Sequence, residues 1–202
     1  MIVLAFAGSS CGRVEPDAVD LSIGPLSTAV LAGGCFWCTE AVFEQLDGVN
    51  EVIAGYSGGA ENTANYSAVS SGGTEHAEVI QVRFEPSRIT YAQLLQVFFT
   101  VAHDPTQLNR QGPDTGPQYR STVFYLDEYQ KRIAEQTIDQ LTKVKYYDRP
   151  IVTSLAPLEH FYPAESYHQD YVRHHPNEPY VVFNAMPKVQ KLHEKFSNQV
   201  RP

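Results

Sequence analysis

Apolar residues in this chain follow two different periods, and this mixture constrains the fold more than any other feature. Alternation with polar residues predicts strands, most clearly where Ile80, Val82 and Phe84 share one face. Spacings of three and four residues predict helices. The predicted strands are 28–31, 49–56, 76–84, 122–126 and 151–156, and the predicted helices are 36–46, 90–101, 127–144, 164–173 and 187–200. Because the two kinds of element do not alternate strictly, we expect an α+β fold with a mixed, mostly antiparallel sheet and flanking helices.

Two long polar segments, 60–74 and 103–121, separate the predicted elements. Their content of glycine, proline, serine and asparagine predicts loops. A loop as long as the second is usually functional in a compact domain. It carries many hydrogen-bonding side chains between Asp104 and Arg120, which could shape a pocket or form a surface excursion.

The chain has three cysteines, Cys11, Cys35 and Cys38. An odd number excludes a closed disulfide framework, and three thiolates are too few for a four-thiolate zinc site, although a histidine could complete one. Cys35 and Cys38 form a C-x-x-C pair, which could close a disulfide or supply half of a zinc site. Of the seven histidines, His168, His174 and His175 lie near the end of a predicted helix, where histidine is an ordinary solvated side chain, so we expect no metal.

Cys35 follows the turn formed by Gly33 and Gly34 and begins a predicted helix. A thiol at a helix N-terminus faces free N–H groups and the positive end of the dipole. We therefore expect the pKa of Cys35 to fall below the ordinary value of about 8.5. A buried structural cysteine is the alternative, but a second cysteine three residues later favours a reactive thiol.

Glu78 shares the apolar face of the strand predicted over 76–84. If it is buried there, desolvation raises its pKa and keeps it protonated, which would make it a candidate general acid. The alternative places Glu78 at the wet rim of the sheet, where it would have no special role. Tyr66, in the first polar segment, could likewise be a packing anchor or a catalytic group.

The charge balance and the N-terminal sequence limit the possible partners and locations. With 15 basic and 23 acidic residues the formal charge is −8, which argues against nucleic-acid binding. No apolar run approaches the roughly 18–20 residues of a membrane span. We interpret 1–24 as a poorly ordered leader or signal remnant and 25–202 as one domain. We expect a cytoplasmic protein; because the stretch before Cys11 weakly resembles a lipoprotein cleavage site, export or lipid anchoring through Cys11 is the alternative.

Six stretches of the chain, in order over about 31–176, resemble the peptide methionine sulfoxide reductases of the A type, which act on the S-sulfoxide. They are Gly34-Cys-Phe-Trp37, Gly55-Tyr-Ser-Gly-Gly59, His76-Ala-Glu78, His103-Asp-Pro105, Arg110-Gln-Gly-Pro-Asp114 with Gln118-Tyr-Arg-Ser121, and Tyr167-His-Gln-Asp-Tyr171. The resemblance implies a ferredoxin-like core with long active-site loops. It also implies a repair enzyme that reduces methionine sulfoxide, free or in proteins, back to methionine.

The family's catalytic groups match five residues of this chain. The resemblance implies that Cys35 is the nucleophile and that Glu78 protonates the sulfoxide oxygen. It also implies that Tyr66 and Tyr119 bind that oxygen, and that Asp114 organises the pocket through water. A sulfoxide oxygen leaves only after protonation, and a positioned acid is typically worth roughly 10²–10⁴-fold in rate.

The remaining expectations concern the substrate wall and turnover. The resemblance implies that Phe36 and Trp37 form an apolar wall for the S-methyl group. Many family members carry resolving cysteines near the C-terminus, but 181–202 contains none. We therefore expect Cys38 to resolve the sulfenic acid, with Cys11 or an external thiol as alternatives. An external dithiol such as thioredoxin would reduce the resulting disulfide. We expect no cofactor, and we expect the enzyme to be a monomer.

Two other functions compete with this interpretation. A general thiol-disulfide oxidoreductase would use Cys35 and Cys38, but thioredoxin-like motifs place an aromatic residue before the first cysteine rather than between the two. That function would also leave Glu78 and the polar loops without a role. A binding module for oxidised methionine would not need an intact Cys35.

Overall fold

The computed structural model describes residues 26–201, so the predicted leader at 1–24 and Cys11 lie outside the described residues. The strands within residues 26–201 confirm the predicted strands, although their ends differ by a few residues. Short strands that were not predicted are present in the loops. The strands are β1 (Ser27–Gly33), β2 (Val49–Ser57), β3 (Ala77–Phe84), β4 (Arg110–Gln111), β5 (Asp114–Thr115), β6 (Ser121–Tyr125), β7 (Ser154–Pro157) and β8 (Phe161–Pro163).

The α-helices of the described part are α1 (Phe36–Phe43), α2 (Tyr66–Ser70), α3 (Tyr91–Val97), α4 (Glu128–Lys143), α5 (Tyr171–His174) and α6 (Met186–Lys195). The predicted capping box opens α3: the Thr90 hydroxyl accepts from the Gln93 N–H, and the Gln93 side chain accepts from the Thr90 N–H. Five-residue π-helical segments follow α3 (Phe98–Ala102) and precede α6 (Val181–Ala185).

The main sheet has six strands in the order β7-β6-β1-β3-β2-β8. Every neighbouring pair is antiparallel except β6 and β7, which run parallel. Its four central strands, with α1 and α3, have the β-α-β-β-α-β topology of a ferredoxin-like core. The predicted α+β class and mostly antiparallel sheet are therefore confirmed.

The sheet separates two apolar layers. On one side, Leu31 and Ile80 meet helical residues such as Phe43, Leu94 and Leu192 in the main core. The other side is a smaller layer that includes Val30, Val79 and Phe124. Because strand side chains alternate between the faces, Glu78 points with Ile80 into the main core.

Two predictions about the loops and one about a helix were wrong in detail. The first polar segment contains α2, which the Asn65 side chain caps by accepting from the Ala68 N–H. The second contains the hairpin of β4 and β5. No long helix forms over 164–173, because the Gln169 side chain bonds both the N–H and the C=O of Ala54 on β2 and holds this segment against the sheet edge. Only the short α5 remains helical there.

No helix within residues 26–201 is long and apolar enough to cross a membrane.

Candidate active site

A sharp turn between β1 and α1 brings Cys35 to the start of α1. Gly34 has φ +87°, and a side chain there would lie 2.5 Å from the Gln111 side chain, so only glycine fits this turn. Cys35 is the N-cap of α1, and its C=O accepts from the N–H groups of Cys38 and Thr39. The predicted position of this thiol at a helix N-terminus is confirmed.

The predicted low pKa of Cys35 is wrong. Both Cys35 and Cys38 are free thiols, 7% and 1% exposed. Burial raises the pKa of Cys35, and the neighbouring Cys38 and the charge of Glu78 raise it further. The pKa of Cys38 is instead lowered, chiefly because the Cys35 thiol hydrogen-bonds it, with help from the charge of Lys188. Desolvation of Cys35 therefore outweighs the helix N-terminus.

Cys38 also contacts a polar pair on the opposite wall of the site. Its sulfur lies 3.9 Å from the Tyr180 hydroxyl. That hydroxyl donates to Asp114 Oδ2 at 2.6 Å. Burial raises the pKa of Asp114, while Tyr180 and the charge of Lys188 act in the opposite direction. The polar hairpin of β4 and β5 thus reaches the cysteine pair through Tyr180.

Glu78 lies beneath the start of α1 and is 2% exposed, so its alternative position at a wet rim is wrong. Its Oε2 accepts from the Phe36 N–H at 3.0 Å. Burial raises the pKa of Glu78 to about 8, although this hydrogen bond opposes the change. A largely protonated carboxyl group therefore lies next to Cys35 at neutral pH, as a general acid requires.

The raised pKa of Glu78 predicts how stability depends on pH. A carboxyl group with a pKa of 4.5 when unfolded and about 8 when folded favours folding most below pH 4.5. That contribution is lost as the pH rises from 4.5 through 8, at a cost of about 5 kcal/mol. We expect Glu78→Gln to be more stable than the wild type at pH 9 and similar to it at pH 5. Urea unfolding at both values checks this, and the exposed Glu75→Gln should show no such pH-dependent gain.

Tyr66 and Tyr119 approach the same acid from separate elements, the start of α2 and the 3₁₀ turn Pro117–Tyr119. Burial raises the pKa of both phenols, and the charge of Glu78 is the next largest cause for each. The charges of Cys35 and Asp114 also act on both. The fold thus brings all five predicted catalytic residues into one electrostatically coupled site.

The predicted apolar wall is built around Trp37, which lies half-buried one residue into α1. Its ring stacks on Tyr171 with centroids 3.7 Å apart and planes within 6°. Its indole N–H donates to His168 Nδ1 at 3.1 Å. The buried Phe36 ring lies 5.0 Å from the His168 ring. These contacts fix the orientation of Trp37 beside the cysteine pair.

Three residues of this wall, His168, Tyr171 and Tyr180, were not assigned roles from sequence. His168 and Tyr171 lie in the stretch Tyr167–Tyr171 that carries part of the family resemblance, but the resemblance implied no role for either residue. Tyr180 belongs to no quoted motif, and only the fold brings it to Asp114 and Cys38. Within residues 26–201, no group of three or more histidine, cysteine or acidic side chains is arranged to hold a metal ion.

Comparison with known proteins gives the same family that the motifs resemble. The family model for peptide methionine sulfoxide reductase matches residues 27–200. The peptide methionine sulfoxide reductase MsrA 2 of Synechocystis sp. is 47% identical to this chain, over 98% of this chain and 95% of that protein. That of Mesorhizobium japonicum, also named MsrA 2, is 52% identical over 84% and 87%.

Solved structures agree with the sequence relatives. The reduced form of Mxr1 from Saccharomyces cerevisiae is similar with a TM-score of 0.72 at 34% identity, covering 76% of this chain and 88% of that one. A structure of Mxr1 in complex with Trx2 has a TM-score of 0.51 at 25% identity, covering 73% and 85%. With its fold, its C-x-x-C turn and its buried acid in place, the chain belongs to the peptide methionine sulfoxide reductase family, in the A type.

Proposed function

We propose that this reductase acts on the S diastereomer of methionine sulfoxide, free or in proteins, with Cys35 as its nucleophile. The observation that carries the proposal is the buried pair of Cys35 and Glu78 at the start of α1, a thiol next to a carboxyl group whose pKa is about 8. A thiol alone would serve many redox reactions. A neutral acid beside it is what a substrate with a poor oxygen leaving group needs.

Glu78 protonates the sulfoxide oxygen in the proposed reaction, while Tyr66 and Tyr119 donate hydrogen bonds to it. Both phenols have raised pKa values and keep their protons at neutral pH, so they can donate. Asp114 organises the pocket, and its hydrogen bond from Tyr180 supports this role. Three donors converging on one oxygen suit a developing hydroxyl group.

The chemical step transfers one oxygen atom and two electrons. The Cys35 thiolate attacks the sulfoxide sulfur and forms a sulfur–sulfur bond as Glu78 protonates the oxygen, and the sulfur–oxygen bond of the substrate breaks to release hydroxide. That oxygen then bonds to Cys35 Sγ as the sulfur–sulfur bond breaks and leaves its electron pair on the methionine sulfur. Methionine leaves with its sulfur reduced, and Cys35 is oxidised to a sulfenic acid that carries the oxygen. The proton lost by the Cys35 thiol balances the proton that Glu78 gives and later regains.

The wall formed by Phe36 and Trp37 receives the S-methyl group. Their rings are held by His168 and Tyr171, so the wall is rigid before substrate arrives. An apolar wall on one side of the sulfur and hydrogen-bond donors on the other distinguish the methyl group from the oxygen. This asymmetry supports selection of one diastereomer.

Cys38 resolves the sulfenic acid in the proposed cycle. It lies one helical turn from Cys35, shares a hydrogen bond with it and has a lowered pKa, so its thiolate is available. Condensation forms the Cys35–Cys38 disulfide and releases the oxygen as water. Thioredoxin is the proposed reductant, since an external dithiol can reduce such a disulfide and Mxr1 forms a complex with Trx2.

The working unit that we propose is a monomer whose catalytic domain spans 25–202, since the described site is assembled from one chain. No cofactor is needed, because the electrons come from thiols. The free cysteine pair suits a reducing compartment, and we propose the cytoplasm. The mass of the native N-terminus would test this, because lipid attachment at Cys11 would change it.

A diastereomer assay tests the proposed function. The protein, incubated with dithiothreitol and methionine-S-sulfoxide, should form methionine, whereas the R diastereomer should yield none above the Cys35→Ser background. The two substrates have the same composition, so each is a matched control for the other. No methionine from either would overturn the proposed activity, and equal yields would overturn the selection by the wall.

A further inference from the structure

Glu165 is a half-buried acid that contacts two parts of the site and has no role in the proposed mechanism. It lies between β8 and the 3₁₀ turn Ser166–His168. Its Oε1 accepts from the backbone N–H of Tyr66 at 2.9 Å, and its Oε2 accepts from the Tyr56 hydroxyl at 2.9 Å. These partners lie 99 and 109 positions earlier in the chain. One side chain therefore joins this segment both to the start of α2 and to β2.

The two partners occupy both oxygens of an ionised carboxylate. Burial acts to raise the pKa of Glu165, but hydrogen bonds, including those from Tyr66 and Tyr56, lower it below its ordinary value. Tyr56 is fully buried, and its ring lies 5.8 Å from the Phe36 ring. The Tyr56 end of this arrangement is therefore fixed by the core, and Glu165 holds the Tyr66 N–H relative to that fixed point.

The helix that carries Tyr66 is too short to fix this residue by itself. α2 has five residues, and isolated helices of this length are unstable in water. Tyr66 is its first residue, so its N–H has no partner within the helix. The Asn65 side chain accepts from the Ala68 N–H, and Glu165 accepts from the Tyr66 N–H. The direction of the Tyr66 side chain thus depends on a contact from a distant segment.

The segment that contains Glu165 also carries His168, which contacts the substrate wall. The His168 N–H donates to the Glu165 C=O at 2.9 Å, and the His168 ring lies 4.5 Å from the Tyr66 ring. However, His168 Nε2 is 3.9 Å from Glu165 Oε2, which is beyond hydrogen-bond distance. The carboxylate of Glu165 therefore bonds the two tyrosines and does not bond the wall.

We propose that Glu165 is a positioning residue for Tyr66: by anchoring the N–H at the start of α2, it holds the phenol where it donates to the sulfoxide oxygen. The inference rests on the proposed role of Tyr66. Glu165 itself touches neither the substrate nor Cys35 in this scheme. Because the side chain must meet Tyr66 and Tyr56 together, this role requires reach and does not require charge.

Two substitutions separate reach from charge. Glu165→Gln keeps the length of the side chain, and its amide can accept from the Tyr66 N–H and donate to the Tyr56 oxygen, because a phenol accepts as well as donates. Glu165→Asp keeps the charge but is one methylene shorter, so it cannot reach both partners. In single-turnover reduction of methionine-S-sulfoxide, E165Q should stay within about threefold of the wild type. E165D should be slower by roughly tenfold, less than the roughly 10²–10³-fold that loss of a whole donor costs.

A double-mutant cycle shows whether this effect passes through Tyr66. Tyr66→Phe removes the donor, so Glu165→Asp has nothing left to position and should slow that background by less than about twofold. A structural role that is independent of Tyr66 would instead multiply the two effects. Glu159→Gln, which changes an exposed acid six residues before Glu165, is the matched control and should react as the wild type does.

The outcomes separate this inference from the proposed function. Multiplicative effects, an E165D rate equal to that of the wild type, or an E165Q rate as low as that of E165D would overturn the role of Glu165. If Tyr66→Phe reacts as fast as the wild type, the role of Tyr66 fails and the inference fails with it. If the wild type forms no methionine, the proposed activity itself fails. Glu165→Ala reaches neither partner and should be at least as slow as E165D, so it is the test variant if E165D does not fold.

Discussion

Glu78→Gln is expected to slow the first turnover of methionine sulfoxide reduction by roughly 10²–10⁴-fold, the range typical of a lost general acid. Glutamine keeps the shape and the acceptor for the Phe36 N–H, but it cannot give a proton to the leaving oxygen. Tyr66 and Tyr119 remain as donors, so the reaction should not stop entirely. The loss should appear in the chemical step and not in substrate binding.

Single-turnover mixing of reduced enzyme with substrate, with methionine measured at each time point, checks this prediction. Glu75→Gln is the matched control, because Glu75 is an exposed acid three residues away on the same segment. Alkylation of Cys35 should proceed in the variant, which would show that the thiol is still reactive. A first-turnover rate equal to that of the wild type would remove Glu78 from the role of acid.

Glu78 and Cys35 are coupled in a way that makes this acid more than a proton source. The charged form of Glu78 raises the pKa of Cys35, so a thiolate next to an ionised Glu78 is disfavoured. With Glu78 protonated, that repulsion is absent and the thiolate forms more easily. The protonated acid therefore favours both the nucleophile and the leaving group, and ionised Glu78 disfavours both.

The raised pKa of Cys35 shows what a local sequence pattern cannot predict. The turn at Gly34 and the helix start were predictable, because each depends on a few neighbouring residues. The sign of the pKa change was not, because it depends on how deeply β3, α1 and the loops bury the thiol. Burial is a property of the whole core, and it reversed the expected effect of the helix N-terminus.

The difference between local and long-range contacts also explains why one helix was predicted correctly and another was not. The capping box of Thr90 and Gln93 is formed within four residues, and it was read directly from the sequence. The helix expected over 164–173 was lost to contacts that Gln169 makes with β2, more than 100 positions away. Tertiary hydrogen bonds of this kind override helical periodicity, which is a local signal.

The site itself was predictable in part. Cys35 follows from its turn, and Glu78 from a carboxylate on an apolar strand face. Tyr66 and Tyr119 lie in polar segments with no periodic signal, and they were found only through the family resemblance. The fold brings both close enough to Glu78 for its charge to raise the pKa of each phenol.

Cys38→Ser is expected to leave the first turnover intact and to reduce thioredoxin-driven cycling by at least roughly tenfold, because no disulfide then forms for the dithiol to reduce. The sulfenic acid would remain on Cys35, and it is not a substrate for thiol–disulfide exchange. Dithiothreitol is small enough to enter the site, so cycling with it should persist. The expected signature is one methionine per chain with thioredoxin and continuous turnover with dithiothreitol.

Cys11→Ser is the matched control, and its cycling with thioredoxin should equal that of the wild type. If Cys11→Ser instead loses cycling while Cys38→Ser keeps it, the resolving thiol is Cys11. If the double variant still cycles with thioredoxin, an external thiol reduces the sulfenic acid directly. Mass mapping of the oxidised wild type distinguishes these routes independently, because only resolution by Cys38 joins two residues of one helical turn. A Cys35–Cys38 bond therefore requires no movement of the C-terminal residues 181–202, which carry no thiol.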